Sequence, residues 1–476
     1  MMNDKKHSRN DCRQFLFIIL HSVFIIFFAS CSVSKKLSKS AKENVLSNKA
    51  FQTAHVGISV YDPATNKYLY NYQGDKYFVP ASNIKIPTCY AAMKYLGDSL
   101  VGLRYYLKDD SIILLPTGDP TFLFSDYKYQ PVLNFLKNEK RKLFIDIENW
   151  DDDEFGSGWS WNDYNEYYMV ERNSFPIFGN VVKISLIGRP VRGKYNIKFE
   201  PAFLETQNEN FAIRLINSPS RHVIWPDSTP AKFNVRRQKL ENQFYLEESN
   251  SLLSSQQIPF IVDTVSTTLK ILKEDFGLLI SNYKKGFQTG SSIDFNSHDL
   301  FNYKIHSQPT DSVLKPMMHR SDNFFAEQML LMVSNEMLGV MNDERIIDTL
   351  LKTDFKDLPQ RPRWVDGSGL SRYNLFTPQD IVFILNKMNN EFGMDRIKEI
   401  LPTGGEGTIS NYYKTDSGYI YGKTGTLSGV VSFSGFLYTK KGKLLIFSTL
   451  VNNHNNSATE IRKAIEKFLQ GIRNRY

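Results

Sequence analysis

Pro80-Ala81-Ser82-Asn83-Ile84-Lys85 decides the reading of this chain, because it sets an amine three residues beyond a hydroxyl, just after a run of strand character. At a helix start, i to i+3 spacing puts both side chains on one face, and the helix N-terminus favours negative charge. Ser82 is therefore a candidate nucleophile and Lys85 its base, provided burial and neighbouring positive charge keep the amine neutral. Context must carry the reading, since Ser32/Lys35, Ser281/Lys284 and Ser312/Lys315 share the spacing. A helix is expected from about Asn83, where Pro87 conflicts with its first turns unless the helix begins later. Upstream, Ala54 to Tyr61 alternates, Pro63-Ala64-Thr65-Asn66 turns and Lys67 to Tyr72 returns, which predicts a hairpin.

Two further motifs stand downstream. Ser321-Asp322-Asn323 interrupts a helical pattern running from Val313 to Leu338, so it is expected on a helix–helix connection. There a hydroxyl can relay a proton to a leaving amine, and an amide can hold a carbonyl. Lys423-Thr424-Gly425-Thr426 directly precedes the apolar run Val430 to Tyr438 and is expected at a strand edge. Lys423 offers positive charge, to Lys85 as well as to substrate. Thr424 and Thr426 offer hydroxyls to a carboxylate, and Gly425 lets substrate approach the backbone. A second hairpin, Val430 to Tyr438 with Lys443 to Val451, turns at Lys440-Lys441-Gly442. Ser457 and Glu460 then open a C-terminal helix with apolar positions Ile461, Ala464, Ile465, Phe468 and Leu469.

Strands at both ends of the chain, closed by an amphipathic helix, predict an α+β fold. Between about 105 and 300 the texture changes to short strand-like runs at Ser111 to Leu115, Lys142 to Ile147, Lys183 to Ile187 and Phe260 to Val262, with one helical stretch near Val265 to Phe276. The expected organisation is a catalytic domain from 51–105 and 300–476, interrupted by a β-rich insertion over 106–299 of one or two lobes.

The chain has 476 residues, 41% apolar and 23% charged, which is a globular balance for two or three domains. Its net charge of +8 is scattered and comes without a recognition motif, so nucleic acid is not an expected partner. Lys5, Lys6, Arg9 and Arg13 followed by an apolar run to Ala29 read as an export signal over 1–31. Phe28-Ala29-Ser30-Cys31 is similar to a lipobox, which implies cleavage before Cys31, a lipid on its thiol and attachment to a membrane. Residues 32–50, rich in Ser, Lys and Asn, are expected as a polar tether. With Cys12 and Cys31 in the leader, Cys89 has no intrachain partner and is expected as a small buried residue. No metal-ligand cluster and no Gly-x-Ser-x-Gly elbow occur, and no cofactor is expected.

The three motifs in this order resemble the penicillin-recognising serine enzymes. Asp366-Gly367-Ser368-Gly369-Leu370-Ser371-Arg372, Leu401-Pro402 before Gly407-Thr408, and Ala326-Glu327 after the second motif narrow the resemblance to the D-alanyl-D-alanine carboxypeptidase/endopeptidase family, the low-molecular-mass class C penicillin-binding proteins. The long insertion is a further mark of that family. The resemblance implies a β-lactamase/transpeptidase-like catalytic domain and a periplasmic enzyme. It would cleave D-Ala-D-Ala, or D-Ala-diaminopimelate cross-links, in peptidoglycan stem peptides, with β-lactams as covalent inhibitors. By that resemblance Ser82, Lys85, Ser321, Asn323 and Lys423 are catalytic, and the N–H groups of Ser82 and Thr426 make the oxyanion hole. Thr424, Gly425 and Thr426 face the substrate carboxylate. Asp163, in Gly158-Trp159-Ser160-Trp161-Asn162-Asp163, would bind the diaminopimelate amine, and Arg372 lies at the cleft rim. Two alternatives stay open, a β-lactamase-like hydrolase and a wall- or penicillin-binding protein without turnover. A class A β-lactamase is disfavoured because no Glu-x-x-x-Asn occurs in the chain.

Overall fold

A computed structural model describes residues 35–191, 194–206, 223–224, 233–248, 255–283 and 303–475. The leader and Cys31 lie outside them. The two expected hairpins form, as β1 (His55–Asp62) with β2 (Lys67–Tyr72) and β4 (Val430–Tyr438) with β5 (Leu444–Asn452). With β3 (Ile420–Leu427) they build one antiparallel sheet in the order β3-β4-β5-β1-β2. The first and last strands of the domain thus pair at its centre, with Ile58 opposite Thr449 and Val60 opposite Phe447.

Period-2 alternation splits this sheet between two cores. Leu445 and Phe447 face the C-terminal helix α5 (Ala458–Arg475), whose Ile461, Ala464, Ile465, Phe468 and Leu469 are all buried there, as their helical spacing requires. Ile446 and Phe436 face the other way, into a core shared by α1 (Lys85–Tyr95), α2 (Thr310–His319), α3 (Asn323–Leu338) and α4 (Pro378–Ile400). Cys89 is fully buried in it.

Residues 35–51 depart from the expected tether. They form helical turns, and Leu37, Ala41 and Val45 bury their side chains in the core beneath α5, joined by Ala50 and Phe51. An i, i+4, i+8 apolar stripe hides within the Ser/Lys-rich composition, and that stripe, not the mean polarity, decides the local structure.

The chain leaves α1 through the strand Ser99–Lys108 and returns to α2 through Tyr303–Pro309. These two strands pair antiparallel at one side of a second, mixed sheet that includes Ser111–Pro116, Lys142–Ile145 and Ile280–Asn282. A third sheet contains Ser255–Pro259, Val181–Val191 and Lys194–Glu200. One apolar core, with Ile112, Leu114, Ile145, Val182, Ile184, Phe199 and Phe260, joins both sheets and the helix Ser266–Phe276. The strand expected at Phe260 to Val262 lies earlier, at Ser255–Pro259. Phe260 and Val262 are buried in irregular chain, so their apolar character reports burial and not pairing.

Candidate active site

Ser82 lies in a 3-10 turn, Ala81–Ile84, and the α-helix begins only at Lys85. Pro87 therefore falls in the first turn, where its missing N–H removes no intrahelical bond, and the conflict disappears. Ala81 holds a left-handed φ of 49°, and Gly369 (φ 83°) packs against it so closely that a Cβ there would lie 1.9 Å from the Ala81 carbonyl oxygen. Only glycine permits this contact. The turn that carries Ser82 is thus pressed from outside by the 366–372 loop.

Lys85 Nζ donates to Ser82 Oγ at 3.1 Å, to Asn323 Oδ1 at 2.6 Å and to the Ser368 carbonyl at 2.8 Å. Lys85 is fully buried, and that burial pulls its pKa down to about 8 against the opposing charges of Glu327, Asp366 and Asp322. Burial, and not the expected positive charge of Lys423, is the main cause.

The second motif spans the end of the short link between α2 and α3, Arg320 to Asp322, and the first residue of α3. Asp322 caps α3 by accepting from Phe325 N–H, which makes Asn323 the first helical residue. Ser321 adopts φ 59°, and its Oγ accepts from Lys423 Nζ at 2.8 Å. Asn323 also donates through Nδ2 to the Tyr168 carbonyl at 3.0 Å, which ties the insertion to the site.

Lys423 is central in β3, opposite Ser434. It is fully buried and, among the described residues, its amine bonds to the Ser321 hydroxyl and the Thr424 carbonyl, at 2.8 and 2.7 Å. Burial first, and the Lys85 charge second, hold its pKa well below that of an ordinary lysine. Two ammonium groups in one dry site repel, and the carboxylates lie near Lys85, so each proton on one amine disfavours the proton on the other. Asn83 braces the strand from below, donating to the Lys423 carbonyl at 2.8 Å and accepting from Ser434 Oγ at 2.6 Å.

A Cβ on Gly425 would lie 2.2 Å from Ser432 Oγ, 2.8 Å from the Pro80 carbonyl oxygen and 2.9 Å from Ser82 N. Glycine is therefore required for the strand to reach the Ser82 turn, a reason independent of the expected approach of substrate. Thr424 Oγ1 donates to Thr408 Oγ1 at 2.7 Å, and Thr426 Oγ1, on the exposed end of β3, accepts from Arg462 Nη2 at 2.7 Å. Arg372 is exposed and donates to the Ser428 carbonyl at 3.0 Å, bridging the 366–372 loop to the β3–β4 turn. Asp163 ends a short 3-10 turn, Trp161–Asp163, and burial first, with the Asp163 charge second, raises the pKa of the Tyr168 phenol.

The structure thus brings Ser82, Lys85 and Asn323 into one hydrogen-bonded group and Ser321 and Lys423 into a second. Arg372 stands at the margin through its bond to Ser428, whereas Asp163 lines a groove of the inserted region with Asn234 and Gln256. Sequence reading missed Arg462, Thr408, Glu327 and Asp366 as members of the site. Thr408, Glu327 and Asp366 fall inside strings that had been singled out, whereas Arg462 lies on the polar side of α5 with no local signature.

Among known proteins, residues 38–472 match the family model described as the D-Ala-D-Ala carboxypeptidase 3 (S13) family. The chain is similar to the D-alanyl-D-alanine carboxypeptidase DacB of Haemophilus influenzae, 24% identical over 94% of this chain and 95% of that protein. It is also similar to the D-alanyl-D-alanine carboxypeptidase of Actinomadura sp. strain R39, 23% identical over 87% and 80%. The fold matches the crystal structure of penicillin binding protein 4 from Haemophilus influenzae, with a TM-score of 0.65 at 20% identity, covering 92% of this chain and 98% of that one. The expected α+β transpeptidase-like fold is therefore the observed one. The chain belongs to the D-Ala-D-Ala carboxypeptidase 3 (S13) family of serine peptidases.

Proposed function

We propose that this enzyme hydrolyses D-Ala-terminated peptidoglycan stem peptides through an acyl-enzyme on Ser82, with penicillins as covalent inhibitors. The observation that carries the reading is the fully buried Lys85 amine, shared between Ser82 Oγ and Asn323 Oδ1, with its pKa lowered to about 8. Neutral Lys85 takes the Ser82 proton as Oγ attacks the penultimate D-Ala carbonyl. The oxyanion is held by the N–H groups of Ser82 and Thr426, which the close approach at Gly425 supports. The proton passes from Lys85 through Ser321 to the leaving amine, and water then attacks the acyl carbon, returning Ser82 Oγ.

The substrate carboxylate is received by Thr424 and Thr426, with Arg462 beside them. It supplies the counter-charge that Lys423 lacks, and a protonated Lys423 in turn disfavours the proton on Lys85. Binding the correct terminus thereby helps to produce the free base. Asp163 faces a substrate amine and Arg372 closes the rim. We further propose export to a bacterial periplasm with a lipid on Cys31. Among the described residues, no helix is long and apolar enough to cross a membrane.

The test of turnover is digestion of defined monomeric and cross-linked muropeptides, with product masses measured. Loss of one D-Ala from pentapeptides, or cleavage of dimers to monomers, is expected. Intact substrates together with a stable penicillin adduct would favour the binding protein without turnover.

The base must be neutral to act, which fixes a sign. Acylation is expected to rise with pH through an apparent pKa near 8 and to plateau above it, because protonated Lys85 cannot accept the Ser82 proton. Stopped-flow acylation from pH 6 to 10 measures this, and a flat profile would contradict it.

A further inference from the structure

Glu327 is fully buried on α3, one turn beyond Asn323, and it touches neither Ser82 nor Lys85 through a hydrogen bond. Its two carboxylate oxygens instead accept from the backbone of the 366–372 loop, Oε1 from Ser368 N–H at 2.8 Å and Oε2 from Gly367 N–H at 3.1 Å. The next group along that backbone, the Ser368 carbonyl, accepts from Lys85 Nζ at 2.8 Å. Gly367 sits so tightly on α3 that a Cβ would lie 2.7 Å from the Ala326 carbonyl oxygen. On its far side, Glu327 Oε2 meets Arg172 Nη1 at 3.3 Å. Arg172 comes from the inserted region, is 1% exposed, and also pairs with Asp343 at 2.7 Å and Asp152 at 2.9 Å.

We propose that Glu327 is a positioning residue for Lys85: it clamps the loop whose Ser368 carbonyl seats the amine, and it adds the negative charge that sets how firmly the amine keeps its proton, with Arg172 as its brace from the insertion. This rests on the assignment of Lys85 as the base. The arrangement joins three distant parts of the chain, and a local role in α3 explains none of its bonds. A carboxylate whose two oxygens each hold a successive peptide N–H is a backbone clamp. An extra negative charge beside an ammonium favours the charged form, so the clamp also tunes the base.

The charged groups around both partners define the test. Lys85 faces Glu327, Asp366 and Asp322, and its charge acts on Lys423. Glu327 faces Asp366, Arg172 and Asp343, and burial together with Asp366 raises its own pKa to about 7. Its charge raises the proton affinity of Lys85, so removing that charge lowers it. Thr88 Oγ1 holds the same loop, donating to the Gly367 carbonyl at 2.7 Å, and carries no charge. It provides the control.

Penicillin acylation is measured against pH for the wild type, Glu327→Gln and Thr88→Val, with folding checked by thermal melting. Glu327→Gln keeps one acceptor and loses the charge. Its plateau is expected to fall roughly tenfold for the broken backbone bond, and its apparent pKa to move acid-ward by about one unit. Thr88→Val is expected to lower the plateau with no movement of the apparent pKa. If Glu327→Gln does not fold, Arg172→Lys tests the same link. A lysine cannot span all three carboxylates, Glu327 then protonates more readily, and the midpoint should again move acid-ward. An unchanged midpoint in the folded Glu327 or Arg172 variant overturns the inference while the assignment of Lys85 stands. A wild type that is not acylated at any pH overturns that assignment instead.

Discussion

Lys85→Ala is expected to slow penicillin acylation by about 10²–10⁴-fold, the range in which a positioned general base contributes. The alternative acceptors at the site are poor ones. Ser321 Oγ is already an acceptor for Lys423, and Asn323 Oδ1 has no useful basicity. Lys423 is the other buried amine, but it reaches Ser321 and the Thr424 carbonyl, and no bond from it to Ser82 exists. The variant should still fold, because a buried ammonium costs desolvation that alanine removes, although Asn323 Oδ1 and the Ser368 carbonyl lose a donor. Acylation kinetics with a fluorescent penicillin, beside a thermal melt, separate chemistry from folding. A variant that melts like the wild type and acylates within a factor of a few would transfer the base role elsewhere.

Asp163→Ala is expected to cost roughly ten- to a hundredfold in kcat/KM for stem peptides that carry a free amine on the third residue, while leaving penicillin acylation nearly unchanged. A carboxylate facing a substrate ammonium makes a charge-assisted hydrogen bond worth about 1.5–3 kcal/mol, and penicillin has no group to use it. The structural observation behind this is that Asn323 Nδ2 donates to the Tyr168 carbonyl at 3.0 Å, while the Asp163 charge acts on the Tyr168 phenol. Parallel assays on amine-bearing and amine-lacking peptides and on penicillin measure the difference. Equal losses on all three would make Asp163 a structural support for Tyr168 and Asn323.

The sheet was legible in the sequence because each strand has local punctuation. Pro63-Ala64-Thr65-Asn66 and Lys440-Lys441-Gly442 mark the two hairpins, and the period of Ile461 to Leu469 gives the closing helix. The start of α1 was placed early because a 3-10 turn leaves no pattern separate from the helix that follows it. The helical turns of 35–51 were hidden by composition, since three apolar residues four apart are diluted among Ser and Lys. The chemical residues were legible because their motifs are short and contiguous. What holds them was not. Glu327 with Gly367, Asn83 with Lys423, and Arg462 with Thr426 are pairs 40, 340 and 36 residues apart, and only the folded topology brings them together. The roles of Gly425 and Gly369 were equally out of reach, because a missing Cβ has meaning only once the opposing backbone is in place.

The most direct test of the central claim is peptide mass mapping of the purified protein after brief exposure to penicillin, for the wild type and Ser82→Ala. One penicilloyl group on the peptide containing Ser82, absent from the variant, is the predicted result. An adduct on any other residue, or labelling of Ser82→Ala equal to the wild type, would contradict it.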